Sequence, residues 1–339
     1  MTENSTTALF QVFDQSATVL MQSLETSYLD AFIETADNFL DKRTVRVENG
    51  LPAKQTVQEL TALYQKVDYQ KMDAQDIRRA IQMVMIKATK VDHIQAVHQI
   101  TPDTIADLLG YLAAGLVAGR GQLRILDPAV GSANLLTAVM NQLQDRVTKT
   151  VSGFGSDNDA SMISVASISA QMQRLSLELV QQDSLTDLAV PQVDLVVSDL
   201  PVGYYPIDEN VQNYETHSHM GHSYVHHLLM EQAVNQLQAG GFAFFLVPSQ
   251  LFQSPEAKGL LGWMQDQVFL QGILNLPQDL FLNEQAQKAI LIVQKRGADA
   301  QQADRVMLGE FPSFDDKMAL QKFIDDLVVW EKQALLNSK

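Results

Sequence analysis

The chain contains no cysteine, which removes disulfide frameworks and thiolate metal centres and makes a cytoplasmic setting the expectation. No apolar run approaches the length of a membrane span, so no membrane partner is expected. The first residues, MTENSTTALF, lack the basic opening and apolar centre of a secretory signal. Positive charge is scarce: 24 Lys and Arg stand against 40 Asp and Glu, a formal net charge of -16. That balance argues against broad attraction to nucleic acid, because phosphate binding runs on cations that release counterions. The scarcity is uneven. From Leu175 to Ala257 there is no Lys or Arg among ten acids, whereas between Lys42 and Lys90 ten Lys or Arg accompany five acids. The basic 42–90 region is therefore the expected contact if a polyanion is bound, the alternative being that these charges solubilise helices. The sequence shows no internal repeat. Its 339 residues, 46% hydrophobic and 19% charged, suit one large α/β domain with a smaller one added.

Residues 5–40 space their apolar side chains by three and four (Leu9, Phe13, Leu20, Leu24, Leu29, Phe32, Phe39), which predicts two amphipathic helices. Asn49, Gly50 and Pro52 break the pattern. Two more helices are predicted around Thr56 to Gln65 and Asp73 to Lys87, so residues 1–95 read as a helical N-terminal domain. Thr101-Pro102 then opens a helix, with Thr101 as N-cap, Pro102 at the first helical position and Asp103 in the first turn.

Organisation centres on Leu123 to Leu136, LRILDPAVGSANLL. It reads as a buried strand (Leu123, Ile125, Leu126), an acid at its C-terminal end (Asp127), a turn carrying Gly131 and a helix opening near Ser132. In open α/β sheets ligands bind outside the carboxyl ends of strands, where a glycine admits backbone to a cofactor and a helix N-terminus offers free N–H groups. The three-glycine dinucleotide fingerprint is missing, which counts against NAD. A cofactor with an amino-acid moiety needs only backbone for its carboxylate and an acid for its ammonium. An ordinary strand-turn-helix is the alternative.

The segment DPAVGS resembles the first motif of class I S-adenosylmethionine-dependent methyltransferases, in the D-P-x-x-G-[ST] form of amino-methylating DNA methyltransferases. The resemblance implies S-adenosyl-L-methionine as cofactor, held by Asp127, Pro128, Ala129, Gly131, Ser132 and Asn134. His98-Gln99-Ile100-Thr101-Pro102 resembles the segment that lines the cofactor's methionine end in those families, which adds Thr101. Strand two, Val151 to Gly155, ends in Ser156-Asp157-Asn158-Asp159, where an acid matches a ribose diol; Asp157 is the candidate, with Asn158 beside it. A helix from Ala160 to Arg174 leads to a strand near Leu177 to Val180 and to Gln182-Asp183-Ser184. The resemblance sets Asp183 near the adenine amino group, with Ser184 alongside. Either acid could instead be a solvated helix cap.

Strand four, Val193 to Asp199, runs into LPVGYYP, where these enzymes carry [NDS]-P-P-[YFW]. Asp199 takes the polar slot, Leu200 the first proline, Pro201 the second and Val202 the aromatic, so two slots depart from the pattern. An exocyclic amine is a poor nucleophile because its lone pair is delocalised, and acceptors aimed at its hydrogens favour the reactive form. The Asp199 side chain and the Leu200 carbonyl are the expected acceptors. Val202 cannot stack well on an extruded base, and Tyr204 or Tyr205 is expected to substitute, Tyr204 being the one placed in the site. Five histidines fall between His217 and His227. His222 and His226, four apart, suggest a zinc or nickel pair, but the spacing matches no compact metal motif. No metal is expected, and these histidines are expected to face the cleft or solvent.

A helix from Ser223 to Gln238, the Gly240-Gly241 turn, strand five (Phe242 to Pro248), a helix (Glu256 to Gln265) and two closing strands follow. With Ile273-Leu274-Asn275-Leu276-Pro277-Gln278-Asp279-Leu280-Phe281, this order resembles the modification subunits of type I restriction systems over about Gln99 to Lys295. The implied fold is a Rossmann-like, seven-stranded, mostly parallel sheet as a catalytic domain over 96–300. A strand (Val306 to Phe311) and an amphipathic helix (Met318 to Trp330) within 301–339 pack onto it. The implied activity is methylation of the N6 amine of adenine in DNA, with DNA contacts supplied by the 42–90 region or by a separate specificity partner. Two alternatives stand beside it: a catalytically silent S-adenosylmethionine-binding protein, and a methyltransferase acting on RNA, protein or a small molecule. The sequence does not fix the oligomeric state.

Overall fold

The structure, a computed structural model, describes residues 4–94, 101–117, 121–146, 150–219, 221–254 and 256–336. Four helices come first: α1 (Ser5–Leu24), α2 (Tyr28–Leu40), α3 (Lys54–Tyr64) and α4 (Ala74–Val91). Local chemistry sets their starts, since the side chains of Asn4, Ser27 and Asp73 accept first-turn N–H groups of α1, α2 and α4. Their apolar stripes meet around Phe13, whose ring lies edge-on to Phe32 at 5.3 Å and Phe39 at 5.5 Å.

The alternating part comprises α5 (Asp103–Leu116), β1 (Gln122–Asp127), α6 (Asn134–Arg146), β2 (Thr150–Asp157), α7 (Ala160–Gln173), β3 (Ser176–Gln181), β4 (Val193–Asp199), α8 (Val225–Gln236), β5 (Leu237–Pro248), α9 (Ala257–Gln267), β6 (Val268–Asn275), β7 (Lys288–Lys295), β8 (Met307–Glu310) and α10 (Lys317–Trp330). The sheet has eight strands in the order β3-β2-β1-β4-β5-β7-β6-β8. Only the β7 pairings are antiparallel. Strand periodicity distributes the side chains between two cores. Ile125, Leu195, Phe244 and Ile292 face the cluster under α5, α6 and α10, while Leu126, Val196, Phe245 and Leu291 face the one under α8 and α9.

Three sequence expectations need correction. The sheet has eight strands rather than seven, because Met307–Glu310 pairs parallel with β6 and covers its edge. The Gly240-Gly241 pair does not precede β5 but lies inside it, where Gly240 at φ +78 accompanies a register shift against β4 between Val193 and Leu195. Thr101 is not a helix cap: Pro102 occupies the N-cap of α5 with no side-chain cap bond, which frees the Thr101 hydroxyl for other work.

The helical layer does not close its own core. Met162, Val165, Ile168 and Met172 of α7 belong to the same buried cluster as Phe13, Phe32 and Tyr64. The helix that follows β2 therefore serves the sheet and the N-terminal layer at once. Ile168→Ala, at a site 2% exposed, is expected to cost about 2–4 kcal/mol and to shift unfolding of the helical layer and the sheet together. Urea melts followed by both circular dichroism and tryptophan fluorescence would check this, because Trp263 and Trp330 lie on the sheet's helices.

Candidate active site

A cavity of about 500 Å³ opens at the carboxyl ends of β1, β2 and β4. Thr101, Asp127, Pro128, Ala129, Gly131, Ser132, Asn134, Asp157, Asn158, Asp183, Ser184, Asp199, Pro201 and Tyr204 all line it. Leu200 does not. Its side chain is fully buried in the core, and its N–H bonds to the Leu246 carbonyl 3.2 Å away, because a leucine in the slot where the pattern has proline is drawn under α8. His98, Gln99 and Ile100 lie outside the described residues.

The floor is the turn after β1. Gly131 sits at φ +50 with open space where a Cβ would project, a cradle that any side chain would fill. Its N–H donates to Asp157 Oδ2 at 2.9 Å, and the Val130 N–H donates to the Ser156 carbonyl at 3.0 Å, so β2 fixes the turn. Asp127 is 2% exposed, and its Oδ1 accepts the Ser198 hydroxyl at 2.6 Å and the Ala129 N–H at 3.1 Å. Burial, only partly offset by those bonds, pushes its carboxyl up to about 7. Asp157 Oδ1 accepts the Asp159 N–H at 3.0 Å. Asp183 accepts the Leu185 N–H at 3.0 Å and the Tyr205 hydroxyl. The Ser184 hydroxyl donates to the Pro128 carbonyl and ties this loop to the first.

The opposite wall carries Asp199, whose Oδ2 accepts the Thr101 hydroxyl at 2.9 Å and whose Oδ1 is ion-paired with Lys288. Sequence reasoning did not find Lys288, the first residue of β7, because its strand reads as plain apolar core. Nor did it find Arg78. This α4 guanidinium is 1% exposed and donates to Asp103 at 2.8 Å, Asn134 at 2.9 Å and Gln75 at 2.7 Å. Asn134 in turn donates to the Thr101 carbonyl at 2.9 Å. Burial pulls the Asp103 carboxyl up, but the bonds and charges of Arg78 and Arg79 outweigh it and leave the group below its ordinary value.

In the loop after β4 the two tyrosines take different places. Tyr205 is buried, its hydroxyl on Asp183, so it cannot offer a free ring face. Tyr204 is 56% exposed and stacks on Tyr224 with centroids 4.5 Å apart and planes 15° apart. Val202 lines the cavity mouth and is itself half exposed.

One further expectation is corrected. His226 and His227 face neither cleft nor solvent: they are buried beside Tyr224, and burial pushes them down to about 3 and about 4, so both are neutral. Among the described residues, no group of three or more His, Asp or Glu is arranged to hold a metal ion, and no helix is long and apolar enough to cross a membrane. In the 42–90 region the cations divide into paired and unpaired groups. Arg43, Arg46, Lys71, Arg78, Arg79 and Lys87 all pair with acids, leaving Lys42, Lys54, Lys66 and Lys90 without an ion pair among the described residues.

Comparison with known proteins gives consistent matches along the chain. The N-6 DNA methylase family matches residues 75–326, and the YtxK N-terminal helical domain matches residues 7–89. The two spans overlap on α4, the helix that carries Arg78. The uncharacterized protein YtxK of Bacillus subtilis is 34% identical over 326 residues, 96% of this chain and 97% of that one. A crystal structure from Listeria monocytogenes, assigned to the class I S-adenosylmethionine-dependent methyltransferases, superposes with a TM-score of 0.88 at 36% identity, covering 96% of this chain and 98% of that one. The methyltransferase subunit of a type I restriction-modification system from Streptococcus thermophilus shares the fold, with a TM-score of 0.64 at 15% identity over 96% of this chain and 74% of that one.

Arg78→Met removes one buried and two partly buried hydrogen bonds and leaves the Asn134 side-chain carbonyl without its donor, a loss expected to cost about 2–4 kcal/mol. Equilibrium urea unfolding against the exposed-site control Lys54→Met, expected to stay within about 0.5 kcal/mol, would measure it.

Proposed function

The chain belongs to the N-6 DNA methylase family of S-adenosylmethionine-dependent methyltransferases, and from that premise we propose that it methylates the exocyclic N6 amine of adenine in DNA. The observation that carries the cofactor half of this reading is the charge of the cavity. Asp127, Asp157 and Asp183 line it with neutral donors as their partners, and among the described residues no Lys or Arg lines it. S-adenosylmethionine brings two positive charges, an ammonium and a sulfonium, and supplies a methyl group to a nucleophile.

The chain's own residues divide the work. Asp127, buried beneath the turn, is the partner for the ammonium, and the open space over Gly131 receives the methionine end. Asp157, at the end of β2, accepts from the ribose diol. Asp183 and Ser184 hold the adenine edge, with Asn158 and Ser132 completing the wall. Asp199, oriented by Thr101, accepts an N–H of the acceptor amine and so concentrates the lone pair on nitrogen. Pro201 shapes the turn that follows, and Tyr204, propped on Tyr224, offers an aromatic face in place of the missing fourth-slot aromatic.

A second reading keeps the enzyme and changes the acceptor. It is favoured by the pairing of the 42–90 cations with acids and by the cation-free stretch around the loop after β4. Under the first reading, a separate specificity subunit supplies the phosphate contacts.

Two measurements follow. A ligand ammonium requires ionised Asp127, so binding below about pH 7 must first expel a proton. Calorimetric affinity for S-adenosylmethionine is expected to weaken about tenfold per pH unit below that point and to level off above it. Asp127→Asn is expected to bind weakly with no such slope, and a flat profile in the parent would remove the ammonium role of Asp127. In radiolabelled methyl transfer, DNA is expected to be labelled in preference to RNA and to extract protein. Asp199→Ala should lower the rate about 10²–10³-fold. Tyr204→Ala should raise KM for the acceptor and leave cofactor affinity unchanged. Preferential labelling of RNA or protein would establish the second reading.

A further inference from the structure

The four cavity carboxylates are not held alike. Asp127 is bound by a serine hydroxyl and an N–H, Asp157 by two N–H groups, and Asp183 by an N–H and a tyrosine hydroxyl. All of these donors are neutral. Asp199 alone among them is ion-paired with a cation, Lys288, whose side chain is 28% exposed against 18% for Asp199. Lys288 does not itself line the cavity; it stands behind Asp199 at the start of β7.

We infer that Lys288 is a positioning residue that cancels the charge of Asp199, so that the acceptor slot presents an oxygen without a net negative charge. The inference rests on the cofactor reading above and deepens it. A bare carboxylate at that wall attracts the sulfonium of S-adenosylmethionine and favours it over the uncharged thioether left after transfer. As the methyl is transferred the positive charge passes from sulfur to the acceptor nitrogen, so the pairing acts on how tightly the charged cofactor is held relative to its uncharged product. The Asp199–Lys288 pair keeps the hydrogen-bond acceptor and removes the excess attraction. It is the electrical equivalent of the asparagine that the loop pattern also allows in this slot. Thr101 fixes the second oxygen without altering that balance.

The test needs no acceptor. S-adenosylhomocysteine differs from S-adenosylmethionine by the methyl group and the sulfonium charge, so the ratio of their Kd values, measured by calorimetry, reads the charge at the acceptor wall. Lys288→Met is expected to raise the preference for S-adenosylmethionine by roughly threefold to tenfold, the order expected of one unpaired charge several ångströms away in a partly screened site. Asp199→Asn, leaving Lys288 uncompensated, is expected to lower the preference. The double variant is expected to return to the parental ratio. Thermal melts of all four proteins verify folding. If both ligands bind but the ratio does not move in either single variant, or if both affinities fall equally, Lys288 is a structural anchor only and the inference is overturned while the cofactor reading stands. If neither ligand binds the folded parent, the cofactor reading fails first and takes this inference with it.

Discussion

A guanidinium with almost no access to water needs acceptors on several sides, and through its Nε and Nη1 Arg78 draws together three separate pieces of chain, its Nη2 having no partner among the described residues. Its donors reach Gln75 on its own helix, Asp103 at the start of α5 and Asn134 at the start of α6. Asn134 passes the constraint to the Thr101 carbonyl, and the Thr101 hydroxyl passes it to Asp199. One desolvated cation thus ties the N-terminal helices to the turn after β1 and to the carboxylate at the end of β4. The helical layer is part of the architecture of the cavity.

The cavity's electrostatics follow from the same economy of cations. The stretch from Leu175 to Ala257 has none, and Asp127, Asp157 and Asp183 are satisfied by hydroxyls and backbone N–H groups. Those neutral donors orient an acid without cancelling its charge. Burial does the rest at Asp127, whose carboxyl is held up at about 7 and becomes sensitive to the charge of whatever enters. Asp199 is the exception, with a cation delivered from the antiparallel strand β7.

What was legible in the sequence is what local spacing encodes. The apolar spacing of Leu9, Phe13 and Leu20 marks α1 and that of Leu29, Phe32 and Phe39 marks α2, and the acid-turn-glycine order of Asp127 to Gly131 locates the cavity floor. The site's supporting contacts were not legible because their partners are remote in the chain. Lys288 lies 89 residues from Asp199, and Thr101 lies 98 residues from it. Arg78 sits in a helix where a cation ordinarily marks a solvated face. His226 and His227 were misplaced for the opposite reason: a polar residue type suggested exposure, whereas packing against Tyr224 decided burial. At Leu200 the sequence pattern points to the backbone carbonyl, while the burial of its apolar side chain is decided by packing under α8.

The buried cluster shared by α7 and the N-terminal helices restricts how the molecule can move. Met162, Val165, Ile168 and Met172 are embedded among the aromatic side chains of the helical layer, so that layer cannot swing away from the sheet as a hinged half without breaking a continuous apolar core. Access for a bulky acceptor must therefore come from the loop side, where Val202, Tyr204 and Ile207 are exposed around the cavity mouth. Entry and exit then run past that short surface segment, with no movement of the helical layer needed.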